Sequence, residues 1–377
     1  MKMRVLVAMA LATGLAACAQ QQTAQPETKE GTPPAAPAAA PGRGGGGGLA
    51  GTQEQQAKQT ELEKNTPQLK ITEEVLKLQI PGQTIGEAVG VAKNSRGHLF
   101  VFTRTGKTST VKGSAAAMLF EFDPSLKFVK EWGPNSYGSG FAHTVRVDKE
   151  DNVWVADEGS NMIIKYRPDA TVAMVLGRKE EPLDWLERFV EEGEHLEGTP
   201  AARPGVFNRP TDMTWDTEGN IYVSDGYNNS RLAKFNKDGS WAKAIGERGN
   251  QPDQFNTPHA ITADASGLIY VADRGNRRVQ VYNKDLQRQR IIEGMGAPWS
   301  VCISPGATQY LYSGDGNGKI YKFGLDGKLL GWAQTSLGHG QSGCLVHELH
   351  CESETVLYKG DCSTWTVEKI TIGAMGN

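Results

Sequence analysis

Short runs of alternating apolar and polar residues, separated by turns rich in Gly, Asn and Asp, recur from about residue 68 to the end of the chain. Alternation at period two with turn chemistry between the runs predicts β-strands. The runs are also self-similar. Phe141-Ala-His-Thr-Val-Arg-Val-Asp148 with Asn152-Val-Trp-Val-Ala-Asp157 matches Thr257-Pro-His-Ala-Ile-Thr-Ala-Asp264 with Leu268-Ile-Tyr-Val-Ala-Asp273. Arg209-Pro-Thr-Asp-Met-Thr-Trp-Asp216 with Asn220-Ile-Tyr-Val-Ser-Asp225 is a third copy. A third strand follows each pair, ending at Tyr166, Phe235 or Tyr282, and then a fourth, such as 240–245. Four strands per repeat predict propeller blades.

Weaker copies complete a set of six. Residues 87–94 with 98–104 form the first, 298–304 with 310–315 the fifth, and 345–351 with 356–361 the sixth. The sixth runs out of chain after Ile370-Thr-Ile372, so residues 69–79 are expected to supply its outer strand and close the ring. Closure removes the unpaired edges of an open sheet. The expected fold is all-β, a six-bladed propeller over residues 68–377. One insertion, 180–199, carries Trp185, Leu186, Phe189 and Val190 at helical spacing; it reads as a surface helix or a lid over one mouth of the channel.

The first strand of each blade lines the central channel, so equivalent repeat positions form a ring. One such ring is Val89, His143, Thr211, His259, Trp299 and His347. Three of the chain's seven histidines share this register, in blades two, four and six. Alternate blades lie about 120° apart, so three imidazoles at one level converge, and three neutral imidazoles are a ligand set of catalytic zinc. His98, His195 and His339 read as surface residues and His350 as structural.

The N-terminus adds a destination. Lys2 and Arg4 precede an apolar run, 5–15, too short to span a bilayer, in the layout of a secretory signal. Leu15-Ala16-Ala17-Cys18 resembles the bacterial lipobox, which implies a signal peptide at 1–17 and a lipidated Cys18. Residues 18–67, rich in Gln, Pro, Ala and Gly, read as a disordered tether with room for a short helix within 53–65. The chain is thus expected in the cell envelope, lipid-anchored, on the outer membrane facing the periplasm or at the cell surface. The net charge of −3 gives no broad basic face and argues against a nucleic-acid partner. Cys302, Cys344, Cys351 and Cys362 remain for disulfides, which persist outside the cytoplasm. Cys344 with Cys362, on neighbouring strands, is the favoured pair.

Four segments carry a closer likeness: Phe207-Asn-Arg-Pro-Thr-Asp212, Val223-Ser-Asp-Gly-Tyr-Asn-Asn-Ser-Arg231, Gln254-Phe-Asn-Thr-Pro-His259 and Val271-Ala-Asp-Arg-Gly-Asn-Arg277. Together they resemble peptidyl-α-hydroxyglycine α-amidating lyase, a six-bladed propeller of the NHL type. The resemblance implies zinc on His143, His259 and His347, the same residues the repeat register selects. It implies Tyr227 as the catalytic tyrosine, Arg104 and Arg274 as active-site arginines, and a structural calcium held by the carbonyls of Val91 and Val145 and by Glu348. The chain departs from the family at Glu348 (Asp there), at Leu345-Val346 (Met-Pro there) and at Asn228, where a family cysteine and its disulfide are missing.

The implied reaction splits a carbinolamide, N–CH(OH)–COO⁻, into an amide and glyoxylate. Zinc would acidify the hydroxyl, Tyr227 would take its proton, and Arg104 or Arg274 would hold the carboxylate of a small-molecule or peptide substrate ending in an α-hydroxyglycine-like group. The alternative is a non-catalytic envelope propeller that binds a partner or ligand. A calcium-dependent lactonase-type site is disfavoured, because the axial register carries histidines and not the acidic ligand set. The chain has no room for the copper monooxygenase that would make the lyase substrate.

Overall fold

The computed structural model describes residues 50–104, 117–179, 203–336 and 343–373. The expectations for the signal peptide, Cys18, most of the tether, the insertion at 180–199, His195 and His339 lie outside the described residues.

Six four-stranded antiparallel sheets make up the fold. Their innermost strands are Glu87–Lys93, Ala142–Val147, Asp212–Trp215, Pro258–Ala263, Pro298–Ile303 and Glu348–Cys351. Five blades run through the chain in sequence order. In the sixth, Ile71–Val75 forms the outer strand, pairing Ile71 with Ile372 and Val75 with Glu368. The first and last strands of the propeller therefore share one sheet, as the run-out of blade six predicts.

The repeated aspartates explain why the hairpins form where they do. Asp148, Asp216 and Asp264 each accept main-chain N–H bonds from the residues two and four positions on. Such Asx turns fix the reversal between the first two strands of a blade. Packing between blades is apolar: Trp154, Ile163 and Leu176 of blade two bury against Met213, Val223 and Phe235 of blade three. Next to the axis the blades approach so closely that a Cβ at Gly90 would sit 2.6 Å from the Val145 nitrogen. Only glycine admits that approach.

The short helix is present as Gln53–Lys64, with a capping box between Thr52 and Gln55. It buries none of its own residues, yet it is docked. Gln59 Nε2 donates to the Tyr321 hydroxyl at 2.8 Å, Lys319 pairs with Glu63 at 2.7 Å, and Trp332 Nε1 donates to the Glu63 carbonyl at 3.0 Å. The end of the segment read as tether is thus held on blade five by polar contacts.

Candidate metal centre

The axial ring is made by β-bulges. In four blades the ladder between the first and second strands skips one residue. His143 is the extra residue between the pairs Ala142–Asp157 and Thr144–Ala156. His259 is skipped between Pro258–Asp273 and Ala260–Ala272. Val89 and Trp299 occupy the same place in blades one and five. A bulge re-aims the extra side chain, here toward the axis. His347 directly precedes its strand, and its N–H donates to the Gly360 carbonyl at 3.0 Å.

The loops leading into two of these bulges are pinned by the aspartate that ends the second strand. Asp157 accepts from the nitrogens of Gly140 and Phe141 at 2.9 Å, just before His143. Asp273 accepts from Asn256 at 2.7 Å, just before His259, and pairs with buried Arg278 at 2.8 Å. The repeat motif Val-Ala-Asp thereby positions the histidine of its own blade.

His143, His259 and His347 are all buried, and one ligand atom from each lies within 4.8 Å of the others. Ring centroids are 4.6 to 5.1 Å apart. Nδ1 of His259 bonds the Trp299 carbonyl at 2.6 Å, and Nδ1 of His347 bonds the Val89 carbonyl at 2.7 Å. Each is the ring-level carbonyl of the next blade. Such a bond puts the proton on Nδ1 and leaves Nε2 as the lone-pair donor. Neither ring nitrogen of His143 makes a well-formed hydrogen bond, although the Thr211 backbone of the next blade lies close enough to favour its protonated form; a buried ring so weakly partnered is of the kind a metal satisfies. Burial, first of all, holds the three histidines well below the ordinary imidazole range; the charges of Arg274 and Arg104 and the neighbouring imidazoles add to it. They are neutral near neutral pH, the form that ligates. The residues fit a small, nitrogen-preferring cation such as zinc.

Tyr227 stands over this ring. Its hydroxyl is 3.2 Å from His259 Nε2. The tyrosine follows Gly226, where any Cβ would run into the Pro258 carbonyl, one residue before His259. Two guanidiniums flank the phenol ring, Arg209 at 4.5 Å and Arg274 at 5.3 Å from its centroid. Arg209 is neutralised by Glu158 at 2.7 Å. Arg274, buried and stacked on Trp299 at 4.4 Å, has no carboxylate partner among the described residues, and its Nε has no acceptor. Arg104 is tied down: Nε donates to the Ala142 carbonyl at 2.9 Å, and Nη1 lies 3.4 Å from Glu87. Among the described residues the mouth therefore holds one buried cation without a carboxylate partner beside the tyrosine. Arg209 and Trp299 are site residues that sequence reasoning did not assign; Trp299 was visible only as a member of the ring.

One step along the axis from the histidines, the implied calcium set does not fit. Glu348 is buried, but Thr144 Oγ1 bonds its Oε2, and Leu349 N and Arg146 Nη2 both reach Oε1 at 3.1 Å. Burial, partly offset by Arg146, pushes its carboxyl upward. The Arg146 guanidinium also bonds the carbonyls of Leu349 and Val301 at 3.3 and 3.5 Å. These belong to the same tier of ring carbonyls as Val91 and Val145. Arg146 was missed because no other blade has a charge at its position, so the repeat does not flag it.

Of the remaining histidines, His98 pairs with Glu121 at 2.7 Å and His350 lies against Tyr358, both away from the ring. The cysteines pair as Cys344–Cys362 and as Cys302–Cys351.

Comparison with known proteins agrees with the fold. The NHL repeat family matches residues 207–235 and 255–282, in blades three and four, so the chain carries NHL repeats. Its homologues include the probable peptidyl-alpha-hydroxyglycine alpha-amidating lyase of Caenorhabditis elegans, 28% identical over 181 residues, which is 44% of this chain and 46% of that protein. The peptidyl-alpha-hydroxyglycine alpha-amidating lyase 2 of Drosophila melanogaster is 26% identical over 43% of this chain and 39% of its own length. Human NHL repeat-containing protein 3 is 32% identical over 50% of this chain and 47% of its own length. The matches thus span less than half of each of these relatives. Among solved structures, virginiamycin B lyase from Staphylococcus aureus superposes with a TM-score of 0.52 at 11% identity, covering 81% of this chain and 99% of that one; this likeness concerns the fold.

Proposed function

We propose that the chain is a zinc-dependent carbon–nitrogen lyase that splits a peptidyl-α-hydroxyglycine-like carbinolamide into an amide and glyoxylate. The observation that carries the proposal is the axial ring: three neutral imidazoles, two with Nδ1–H committed to the backbone of the next blade, beneath a tyrosine hydroxyl 3.2 Å from His259 Nε2. His143, His259 and His347 would hold the metal, which acidifies a hydroxyl bound to it.

The chain's own residues supply the rest. Among the described residues Arg274 is the one buried cation of the mouth without an acid, and a substrate carboxylate is the partner its geometry lacks. Its stacking on Trp299 fixes the plane of the guanidinium. Arg104, held by Ala142 and Glu87, adds positive charge beside His143 and His347. With the carboxylate at Arg274, the carbinol carbon would lie between Tyr227 and the histidines. Tyr227 Oη takes the hydroxyl proton as the carbon–nitrogen bond breaks and returns it to the departing amide nitrogen. The electron pair of the broken bond stays with nitrogen, the O–H pair becomes the aldehyde C=O, and no oxidant is consumed. The homologues named as lyases support this reading.

The same reading keeps the chain at the envelope through lipidated Cys18, acting on small molecules or peptides that reach it there. The test is glyoxylate release from an α-hydroxyhippurate-type compound by the zinc-loaded chain. Glyoxylate and amide in equal amounts support the proposal. A metal-loaded chain that turns over no such compound would instead be a binding propeller.

A further inference from the structure

The axis below the histidines is held by a cluster of charges that no repeat predicts. Arg146 projects from the blade-two strand. Its Nε donates to Asp212 Oδ1 at 3.0 Å and its Nη2 to Oδ2 at 2.5 Å, a two-pronged contact with blade three. The same guanidinium reaches Glu348 Oε1 at 3.1 Å and the Leu349 carbonyl at 3.3 Å in blade six, and the Val301 carbonyl at 3.5 Å in blade five. Asp212 Oδ2 also accepts from Ile261 N of blade four at 2.9 Å, and Thr144 of blade two closes on Glu348. One guanidinium and its two carboxylates therefore tie five of the six blades together around the axis.

We infer that Arg146 is the resident cation of this axis, standing where the resemblance implies a calcium ion, so that closure of the propeller in this chain does not depend on calcium. Three observations converge. The carboxylate calcium would take is already spent: both Glu348 oxygens are bonded, and two carbonyls of the same tier, those of Leu349 and Val301, accept from Arg146. A divalent ion there would sit against a guanidinium, and like charges at contact distance repel strongly where water is scarce. The planar fork also suits two carboxylates and a ring of carbonyls, which it satisfies with directed bonds. A covalently attached cation is not diluted away or removed by chelation, so the ring below the metal site keeps its shape whatever the calcium outside. The inference stands apart from the lyase proposal, since it concerns a different tier and a different metal.

The test uses the full chain in resin-treated, calcium-free buffer with zinc restored, against the same buffer with millimolar calcium. Calcium is counted after dialysis and thermal unfolding is followed in both. The expected result is no stoichiometric calcium and a midpoint that moves by less than about 1 °C, because a ligand that does not bind the native state cannot stabilise it. Arg146→Met is expected to unfold several degrees lower, with two buried carboxylates left facing each other. One calcium bound per wild-type chain with a raised midpoint overturns the inference, as does an Arg146→Met variant as stable as the wild type. If Arg146→Met does not fold, Arg146→Lys, which keeps the charge but loses the fork, should fold with a lowered midpoint, and the wild-type calcium count still decides.

Discussion

Nδ1 of His347, in blade six, donates to the main-chain carbonyl of Val89, in blade one, at 2.7 Å, across the seam where the ring closes. His259 makes the same bond to Trp299, one blade on, at 2.6 Å. In both cases the backbone and not a side chain sets the histidine tautomer. Metal ligation should therefore survive changes in the side chains that carry those carbonyls. Trp299→Phe is expected to retain bound metal in full while weakening the stack beneath Arg274, raising KM by about thirtyfold or less, since a cation–π contact is worth roughly 0.5–2 kcal/mol. Metal content and steady-state kinetics check this; loss of metal would show that the indole, not the carbonyl, supports His259.

Tyr227 lies at hydrogen-bond distance from His259 Nε2. Tyr227→Phe is expected to keep the fold and the metal and to lower kcat by about 10²–10⁴, the usual range for a lost general acid or base. Glyoxylate release with metal analysis on the same sample reads both. Unchanged turnover would remove the tyrosine from the chemistry.

Arg274 is buried without an acid among the described residues. Arg274→Met should reduce kcat/KM for a carboxylate substrate by about 10²-fold, from loss of a charge-assisted contact of roughly 2–3 kcal/mol. Esters or amides of the same carboxyl, which offer no charge, should lose little in comparison. Equal losses for charged and uncharged substrates would assign the arginine a purely structural part.

How far the sequence carries is visible in these residues. The blades, their order and the closing strand were legible because each repeat restates its hydrophobic alternation and its Asx turn, as at Asp148, Asp216 and Asp264. The histidine ring was legible because register survives repetition. The bulges at His143 and His259 were not, since a skipped ladder residue leaves the same alternating pattern in the chain. Arg146 and its carboxylates broke the repeat and so lacked a template. Cys302 and Cys351 sit on the inner strands of adjacent blades, 49 residues apart, a separation at which spacing gives no preference. The docking of Gln53–Lys64 was hidden because it rests on polar contacts and no apolar face.

His350 lies on the inner strand of blade six, and burial, with the charge of Arg146 second, lowers its imidazole to about 4 from an ordinary 6.5. A depressed histidine binds its proton in the unfolded chain before it does so in the folded one. Its contribution to stability is therefore full above pH 6.5 and falls as pH drops toward 4, at roughly 1.4 kcal/mol per unit of displacement. The drop in thermal midpoint between pH 7 and pH 4.5 should be smaller in His350→Gln than in the wild type. Identical pH profiles would show that this imidazole carries no linked proton.

The lyase reading depends on the axial ring being a metal site. Its most direct test is the metal content of the purified full chain by elemental analysis, beside His143→Ala, His259→Ala and His347→Ala. The account predicts close to one zinc per wild-type chain and its loss in each variant, with the propeller still folded. A wild-type chain that folds normally and holds no metal when zinc is supplied would contradict it.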